Sequence, residues 1–564
     1  MKKALRIYWP SVLAFVILFA VYCLNFKNID CLAIIYDEFG YWGNAAIVAG
    51  YDWKALLAVT PFYSMGYSLT LVPLFKLGLE LPSMYRIAIL MNMAYVWISY
   101  LCALYAAGKL FPDLDVRLRQ LAGFVCAASA AMLYYSQIAW CETFLAMLMW
   151  CLVALFIRLE YKWTYAALPA IVIDAILIYL THQRAILLIP LTIGVLILIC
   201  IQKRKFISAG AVILFAIMCL AGYRYLHSWQ EEAVFSASEL VMSNGNNVKV
   251  SSSLASGYLG KVLNAPGQFA VSLLCKVGVV MLTTCFTAVI AYKKQLISFI
   301  HKDFSFWGSR SFILLSALIM LVLQSIQMSV NGRKDHFIYS RYMDFAIFPL
   351  ALLGVCEFLC HFRQYKRLYT LSIALSLPLF VLSMYSIQAL DGVYIEPGTP
   401  LWGSLIECYG IDNVYTAGLV LIEICLLILI AYIVMAKKSG LKQICIYLLL
   451  ILFFQLPAYQ YNTNRTIRTR DWEYSHISSH IEVLKDYPDD RIFWLLPDSQ
   501  DDITHDIQMV GELQAFFYDR PMYTLEALEN LKDDDFIISQ TAIKDKDHFE
   551  LVIDQTFKLY RYHS

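Results

Sequence analysis

Runs of about 20 apolar residues recur along most of this chain, and that recurrence decides its class. They fall at roughly 7–26, 84–107, 121–137, 142–158, 164–181, 185–201, 206–226, 267–291, 311–330, 342–360, 368–390, 413–435 and 442–460. Each is about long enough to cross a hydrocarbon layer of about 30 Å as a helix. The stretch 121–201 is the hardest to divide. With 60% hydrophobic and only 15% charged residues, the chain lies far from soluble globular composition. The expected fold is a polytopic α-helical membrane protein of about 13 transmembrane helices. The first span begins basic, with Lys2, Lys3 and Arg6. It is longer than a signal-peptide core and lacks a small-residue cleavage site, so it reads as a retained anchor.

Charge gives an independent check on topology. Alternate connections carry Lys109/Arg117/Arg119, Arg158/Lys162, Lys203/Arg204/Lys205, Lys293/Lys294/Lys302/Arg310, Arg363/Lys366/Arg367 and Lys437/Lys438/Lys442. The intervening loops are longer in total yet poorer in Lys and Arg, so the N-terminus is expected to be cytoplasmic. An odd number of spans then puts the C-terminus on the outer side. From Asn462 onward the chain holds 21 acidic and 11 basic residues, leaving 22 acidic and 33 basic before it. Two regions follow: a basic membrane part, 1–461, and an acidic extracytoplasmic part, 462–564. The second alternates strand-like and helix-like segments (492–496, 522–531, 536–539, 551–562) and suits one small C-terminal α/β domain. Its acidity is most simply a solvated surface.

Most of the 15 cysteines lie in apolar spans, none forms a CxxC pair, and the C-terminal region has none. Zinc ribbons and disulfide scaffolds are therefore not expected. Cys31 and Cys408 fall in outer loops, with nothing to support their pairing. The two long outer loops are 27–83 and 227–266. In the first, residues 36–51 suit an amphipathic helix lying in the interface, before Pro61, Gly66 and Pro73 interrupt the chain. The second carries 243–247 and a serine run at 251–253, which read as flexible turns.

Chemistry-bearing residues gather on the outer face. Asp37 and Glu38 adjoin Tyr36, Phe39, Tyr41 and Trp42 in the first outer loop. An acidic pair in such a setting suits a general base facing both lipid and water. Glu142 sits at the next outer turn, after Ser136 and Trp140. Thr181, His182, Gln183 and Arg184 fill a tight outer turn. Arg333, Lys334, Asp335, His336 and Arg341 crowd the entry to a later span, and Arg86 caps the outer end of the second. Carboxylates can deprotonate a hydroxyl acceptor or hold a metal, whereas Arg341, Arg184 and Arg86 can grip a phosphate through the guanidinium fork.

Each of these residues has a structural reading as well. Asp37 and Glu38 can simply complement the dipole of a helix start, and Glu142 can be an ordinary acid near another. Arg341 can snorkel beside Tyr339 and Tyr342. His182 reads first as an interfacial polar residue. Asp174, alone in an apolar run, should face the bundle interior, as a partner to a neighbouring helix or as the floor of a site.

With those residues set out, the chain resembles the GT-C-fold glycosyltransferases that use polyprenyl-phosphate sugars, especially the protein O-mannosyltransferase and lipid A aminoarabinose transferase branch. The segment Tyr36 to Trp42 matches the acidic motif of their first outer loop, and 61–67 is similar to the part packing over the active site. Residues 136–142 resemble the second acidic motif. Ser340-Arg341-Tyr342 with Pro349 resembles the later motif associated with lipid phosphate. The Trp-Trp-Asp-type signature of oligosaccharyltransferases is absent from the tail, which argues against that branch.

The resemblance implies an inverting transferase of the bacterial cell membrane. It would move a hexosyl or pentosyl group from a polyprenyl-phosphate donor to an envelope glycan, a lipid-linked saccharide or a protein. Asp37 is the expected base, with Glu38 supporting it and Glu142 orienting the acceptor or sharing the base role. Arg341, with Arg184 or Arg86, would hold the donor phosphate. Tyr342, His182, Asp335 and Asp174 are further site candidates. No cofactor is called for, although a divalent cation among Asp37, Glu38 and Glu142 stays open. Nucleic acid is not an expected partner. The rivals are a transporter or flippase of lipid-linked saccharides, a polysaccharide ligase relying on outer Arg and His, and a non-catalytic envelope scaffold.

Overall fold

The computed structural model describes every residue except 1, 30, 33–34, 61–62, 236–259, 261, 302–307, 328–335, 390–399, 411–412, 439–440, 498–499 and 526. The expected turns at 243–247 and 251–253 and the candidate Asp335 lie outside the described residues. The protein is a polytopic helical membrane protein. Ten helices among the described residues are long and apolar enough to cross a membrane, and Met65–Phe75 and Ala167–Thr181 are shorter apolar ones. The helix Arg341–Cys360 is buried along nearly its whole length and forms the centre of the bundle. Peripheral helices turn large apolar side chains outward, as at Phe15, Phe19, Ile207 and Leu214, which is the surface a lipid environment accommodates.

Three expectations change. The span at 121–137 is two short helices, Val116–Ala127 and Ala130–Tyr135. Ser129 interrupts them, its hydroxyl accepting from the Met132 amide as an N-cap. The span at 267–291 breaks into Pro266–Thr283 and Ala288–Ile300. Cys285 and Phe286 between them adopt left-handed backbone, with φ of 51° and 61°. The loop 27–83 is largely helical, and its helix Ile35–Ala49 is buried at every position from Glu38 to Ala46. It therefore packs inside the protein instead of lying in the interface. Gly40 and Gly43 permit this, because a Cβ at either would fall within 3 Å of the Tyr63 ring or the Leu57 side chain. Cys31 and Cys408 are both free thiols.

Toward the C-terminus, one 45-residue helix, Leu441–Lys485, runs without interruption across the expected boundary at 461/462. A five-stranded sheet follows, in the spatial order Met522–Leu525, Ile492–Leu495, Phe536–Ser539, Lys558–Tyr562 and Phe549–Ile553. Strands β1 (Ile492–Leu495), β2 (Met522–Leu525) and β3 (Phe536–Ser539) pair parallel, with Ile492 opposite Met522 and Phe536. The helix Gln500–Phe516 makes the crossover from β1 to β2. Strands β4 (Phe549–Ile553) and β5 (Lys558–Tyr562) divide the expected segment 551–562 and add an antiparallel hairpin to β3. The C-terminal region packs directly on the Ile35–Ala49 segment. Gly511 lets the crossover helix approach the Phe39 ring, and Trp53 Nε1 donates to the Tyr518 carbonyl at 2.9 Å.

Candidate active site

Asp37 and Glu38 occupy the first turn of the helix Ile35–Ala49, where carboxylates complement the exposed amides. Neighbours on a helix point roughly 100° apart, and the two side chains meet different surroundings. Asp37 is part-exposed. It accepts from the Tyr63 hydroxyl at 3.0 Å and forms an ion pair with Arg341. Glu38 is fully buried. Its Oε1 accepts from the Tyr85 hydroxyl and, at 2.8 Å, from the Ala139 amide.

Arg341 begins the central helix and is itself buried. Its Nε lies 2.6 Å from Glu142 Oε1, so one guanidinium bridges Asp37 and Glu142. The Trp140 ring lies 4.2 Å beneath the guanidinium carbon, and Tyr342 stands 5.0 Å away. Trp140 is fixed by its own indole, which donates to the Tyr135 carbonyl at 3.0 Å. Such aromatic faces favour a cation withdrawn from water.

The turn between Ala167–Thr181 and Leu188–Gln202 brings a second cation to the same place. The Arg184 guanidinium lies 3.5 Å from the centre of the Tyr342 ring, which His182 also meets, at 5.3 Å and edge-on. His182 Nδ1 accepts from the Arg184 amide at 3.3 Å. Removal from water, with Arg184 and Arg341 beside it, holds the imidazole far below its usual pKa and therefore neutral, as that acceptor role requires. Gly66 joins this turn to the first loop, since a Cβ there would lie 2.4 Å from Thr181 Oγ1.

The structure thus gathers Asp37, Glu142, Arg341, Tyr342, Arg184 and His182 at one end of the bundle, with Glu38 directed away from Arg341. Arg86 is engaged elsewhere, donating to the Ile29 and Lys27 carbonyls at 3.2 and 3.3 Å. Asp174 is buried beside Cys151, roughly 10 Å along its helix from Thr181. Its Oδ2 has no hydrogen-bond partner among the described residues.

Several contributors were not singled out from the sequence. Tyr63 supplies the hydroxyl to Asp37. Removal from water and the neighbouring Asp37 push that phenol far above its usual range, so it stays a proton donor. Its carbonyl is held by Asn44 Nδ2 at 3.0 Å and Gln230 Nε2 at 2.8 Å. Asp344, one turn beyond Arg341, accepts from Tyr135 at 2.8 Å and Ser340 at 3.1 Å. An acid at this spacing after Arg341 was a usable signal. Arg470 is the third, and nothing in its arginine-rich stretch distinguished it from Arg465 and Arg468.

A cation coordinated jointly by Asp37, Glu38 and Glu142 does not fit this arrangement. Arg341 stands between Asp37 and Glu142, and Glu38 is engaged by Tyr85 and Ala139. Among the described residues no three His, Cys, Asp or Glu side chains gather as a metal site.

No protein-family model matches the sequence, and no curated protein does. Solved structures do match. ArnT from Cupriavidus metallidurans, bound to undecaprenyl phosphate, is 12% identical with a TM-score of 0.52. The match covers 98% of this chain and 97% of ArnT. The same protein in its apo state gives a TM-score of 0.53 at the same identity and coverage. ArnT is a lipid A aminoarabinose transferase with the GT-C fold. Matched over almost its full length, this chain has that GT-C fold.

Proposed function

We propose that the protein is an inverting glycosyltransferase that takes a sugar from a polyprenyl-phosphate donor. The observation carrying this reading is one buried guanidinium, Arg341, bridging the part-exposed Asp37 and Glu142 on an aromatic floor. The undecaprenyl phosphate bound by the structurally similar ArnT supports a lipid phosphate as the donor's leaving group. Residues 1–461 form the membrane catalytic part and 462–564 an extracytoplasmic region. The N-terminus is cytoplasmic and the site opens to the outer side of a bacterial envelope.

Arg341 neutralises Asp37 through their ion pair. The donor phosphate competes for that guanidinium, with Arg184 as a second cation, and so releases Asp37 to act as base. An acceptor hydroxyl or amine attacks the anomeric carbon while Asp37 takes its proton. The bond from that carbon to the phosphate oxygen breaks, and Arg341 and Arg184 hold the charge on the departing polyprenyl phosphate. Tyr63 keeps the Asp37 carboxylate aimed, and Glu142 orients Arg341 and the acceptor. Glycans, lipid-linked saccharides and protein hydroxyls all suit this chemistry as acceptors.

The test is sugar transfer in proteoliposomes, with a panel of labelled polyprenyl-phosphate hexoses and pentoses and an envelope extract as acceptor. Donor hydrolysis is scored alongside. Asp37→Asn should lower turnover by about 10²- to 10⁴-fold while leaving the protein folded. Equal turnover by both proteins would remove Asp37 as the base.

A further inference from the structure

Arg470 lies far from the acidic motif in sequence, on the helix Leu441–Lys485, yet its side chain is almost completely buried beneath that motif. Three segments converge on its guanidinium. Nε donates to the Cys31 carbonyl at 3.1 Å, and Nη2 donates to the Tyr85 hydroxyl at 2.7 Å and to the Gln137 carbonyl at 3.0 Å. Tyr85 in turn donates to Glu38, which also accepts from the Ala139 amide. The hydrogen-bond directions are consistent throughout, from the guanidinium through the phenol to the carboxylate.

These segments carry the reacting groups. Cys31 leads into the helix whose first turn holds Asp37, and Gln137 leads through Trp140 to Glu142. A buried arginine is tolerated only when its donors are satisfied and its charge is compensated. Glu38, reached through one phenol, is the compensating charge. Arg470 thus serves Glu38 as Arg341 serves Asp37, and the two guanidiniums approach the acidic pair from different sides.

We propose that Arg470 is a positioning residue of the site, through which the C-terminal region sets the placement of Asp37 and Glu142 around Arg341. This inference rests on the transferase reading for its kinetic consequence but not for its physical content. The C-terminal region then acts as a structural member of the catalytic centre, not an appended module.

The experiment compares wild type, Arg470→Met, Tyr85→Phe, Glu38→Gln and the double variant Arg470→Met/Glu38→Gln in proteoliposomes, with melting of each in detergent. Arg470→Met should lower kcat about a hundredfold with little change in donor KM, as a misplacement of about 1 Å does. Glu38→Gln removes the buried carboxylate whose charge Arg470 compensates through Tyr85, so the double variant should recover much of that loss. Recovery of this kind does not follow from simple loss of packing. Tyr85→Phe keeps the ring and should lower kcat about tenfold by the same route; it decides the matter where Arg470→Met fails to fold. Wild-type kcat in Arg470→Met or Tyr85→Phe, or a double variant no better than Arg470→Met, overturns the proposal. Absence of transfer by wild type from every donor would defeat the transferase reading instead. The melting cycle then decides: non-additive shifts support the Arg470–Glu38 coupling and additive ones overturn it.

Discussion

The helix Arg341–Cys360 carries a charged cluster at each end, and the two are built on opposite principles. At its start, one arginine serves two carboxylates, Asp37 and Glu142, under an aromatic floor. Near its end, one carboxylate, Glu357, serves three nitrogen-bearing side chains: His361 at 3.1 Å, Lys294 at 3.6 Å and Arg310 at 3.9 Å. Glu357 is buried, but its partners reach solvent. The second cluster is a charge satisfied from several sides and shared with water. The first shares one directly paired guanidinium between two carboxylates and leaves one of those acids open to solvent. An excess of acceptors around a single buried guanidinium is poor design for stability alone, and it leaves a carboxylate available when an anion claims that guanidinium.

The strongest way to break this contrast is Arg341→Lys. A lysine ammonium keeps the charge but lacks the fork that reaches both Asp37 and Glu142. Transfer should fall about a hundredfold, the usual loss on removing a donor to a developing anion. Donor titration at saturating acceptor measures it. Activity near wild type would mean that charge alone suffices and that the bridge is incidental.

Gly40→Ala probes the same end from behind. A Cβ there would sit 1.9 Å from Tyr63 Cδ2, and the Tyr63 carbonyl is pinned by Asn44 and Gln230. The ring must shift, taking its hydroxyl away from Asp37. Melting should fall by about 1–3 kcal/mol of stability, and transfer by roughly tenfold as the base loses its alignment. A variant that loses stability but retains full transfer would remove Tyr63 from the site.

These same contacts explain what the sequence made legible. The spans were readable because apolar runs and Lys/Arg bias are one-dimensional signals. At 121–137 they misled because a local polar group intervened, Ser129 capping a new helix start within an apolar stretch. The gathering of Asp37, Glu142, Arg341 and Arg184 could be anticipated, because topology places every alternate turn at one end. The division of labour between Asp37 and Glu38 could not. It depends on Tyr85 and Arg470, which are distant in the chain and look like an ordinary span residue and a solvated tail arginine. Arg86, adjacent to Tyr85, looked equally suited to phosphate but is occupied by two backbone carbonyls.

Acid offers a milder way to separate the two ends. His480, on the same helix as Arg470, is buried and bonded to the Phe557 carbonyl at 3.1 Å. Burial lowers its pKa from 6.5 to about 4, so the folded state keeps it neutral while the unfolded chain takes up a proton. Stability from this group is complete above pH 6.5 and declines as pH falls toward 4, by at most about 3 kcal/mol. Melting of the whole protein between pH 7.5 and 5 should show that decline, and His480→Asn should flatten it. Hydrogen exchange should show the C-terminal region, and the Glu38 segment resting on it, opening before the Glu357 end. Uniform opening would separate the site from the tail.

Glu357→Gln should have the smallest effect. Lys294, Arg310 and His361 all retain contact with water, so solvent takes over much of what the carboxylate provided. A loss of about 1 kcal/mol, within the range of solvated ion pairs, is expected in a melting experiment at moderate salt. High salt should shrink even that difference by screening. Sugar transfer should be unchanged, because nothing at this end touches Asp37, Glu142 or their aromatic floor. A loss of transfer comparable to that of Arg341→Lys would mean that the central helix couples its two ends, and that the apparent separation of a stabilising cluster from a reacting one is false.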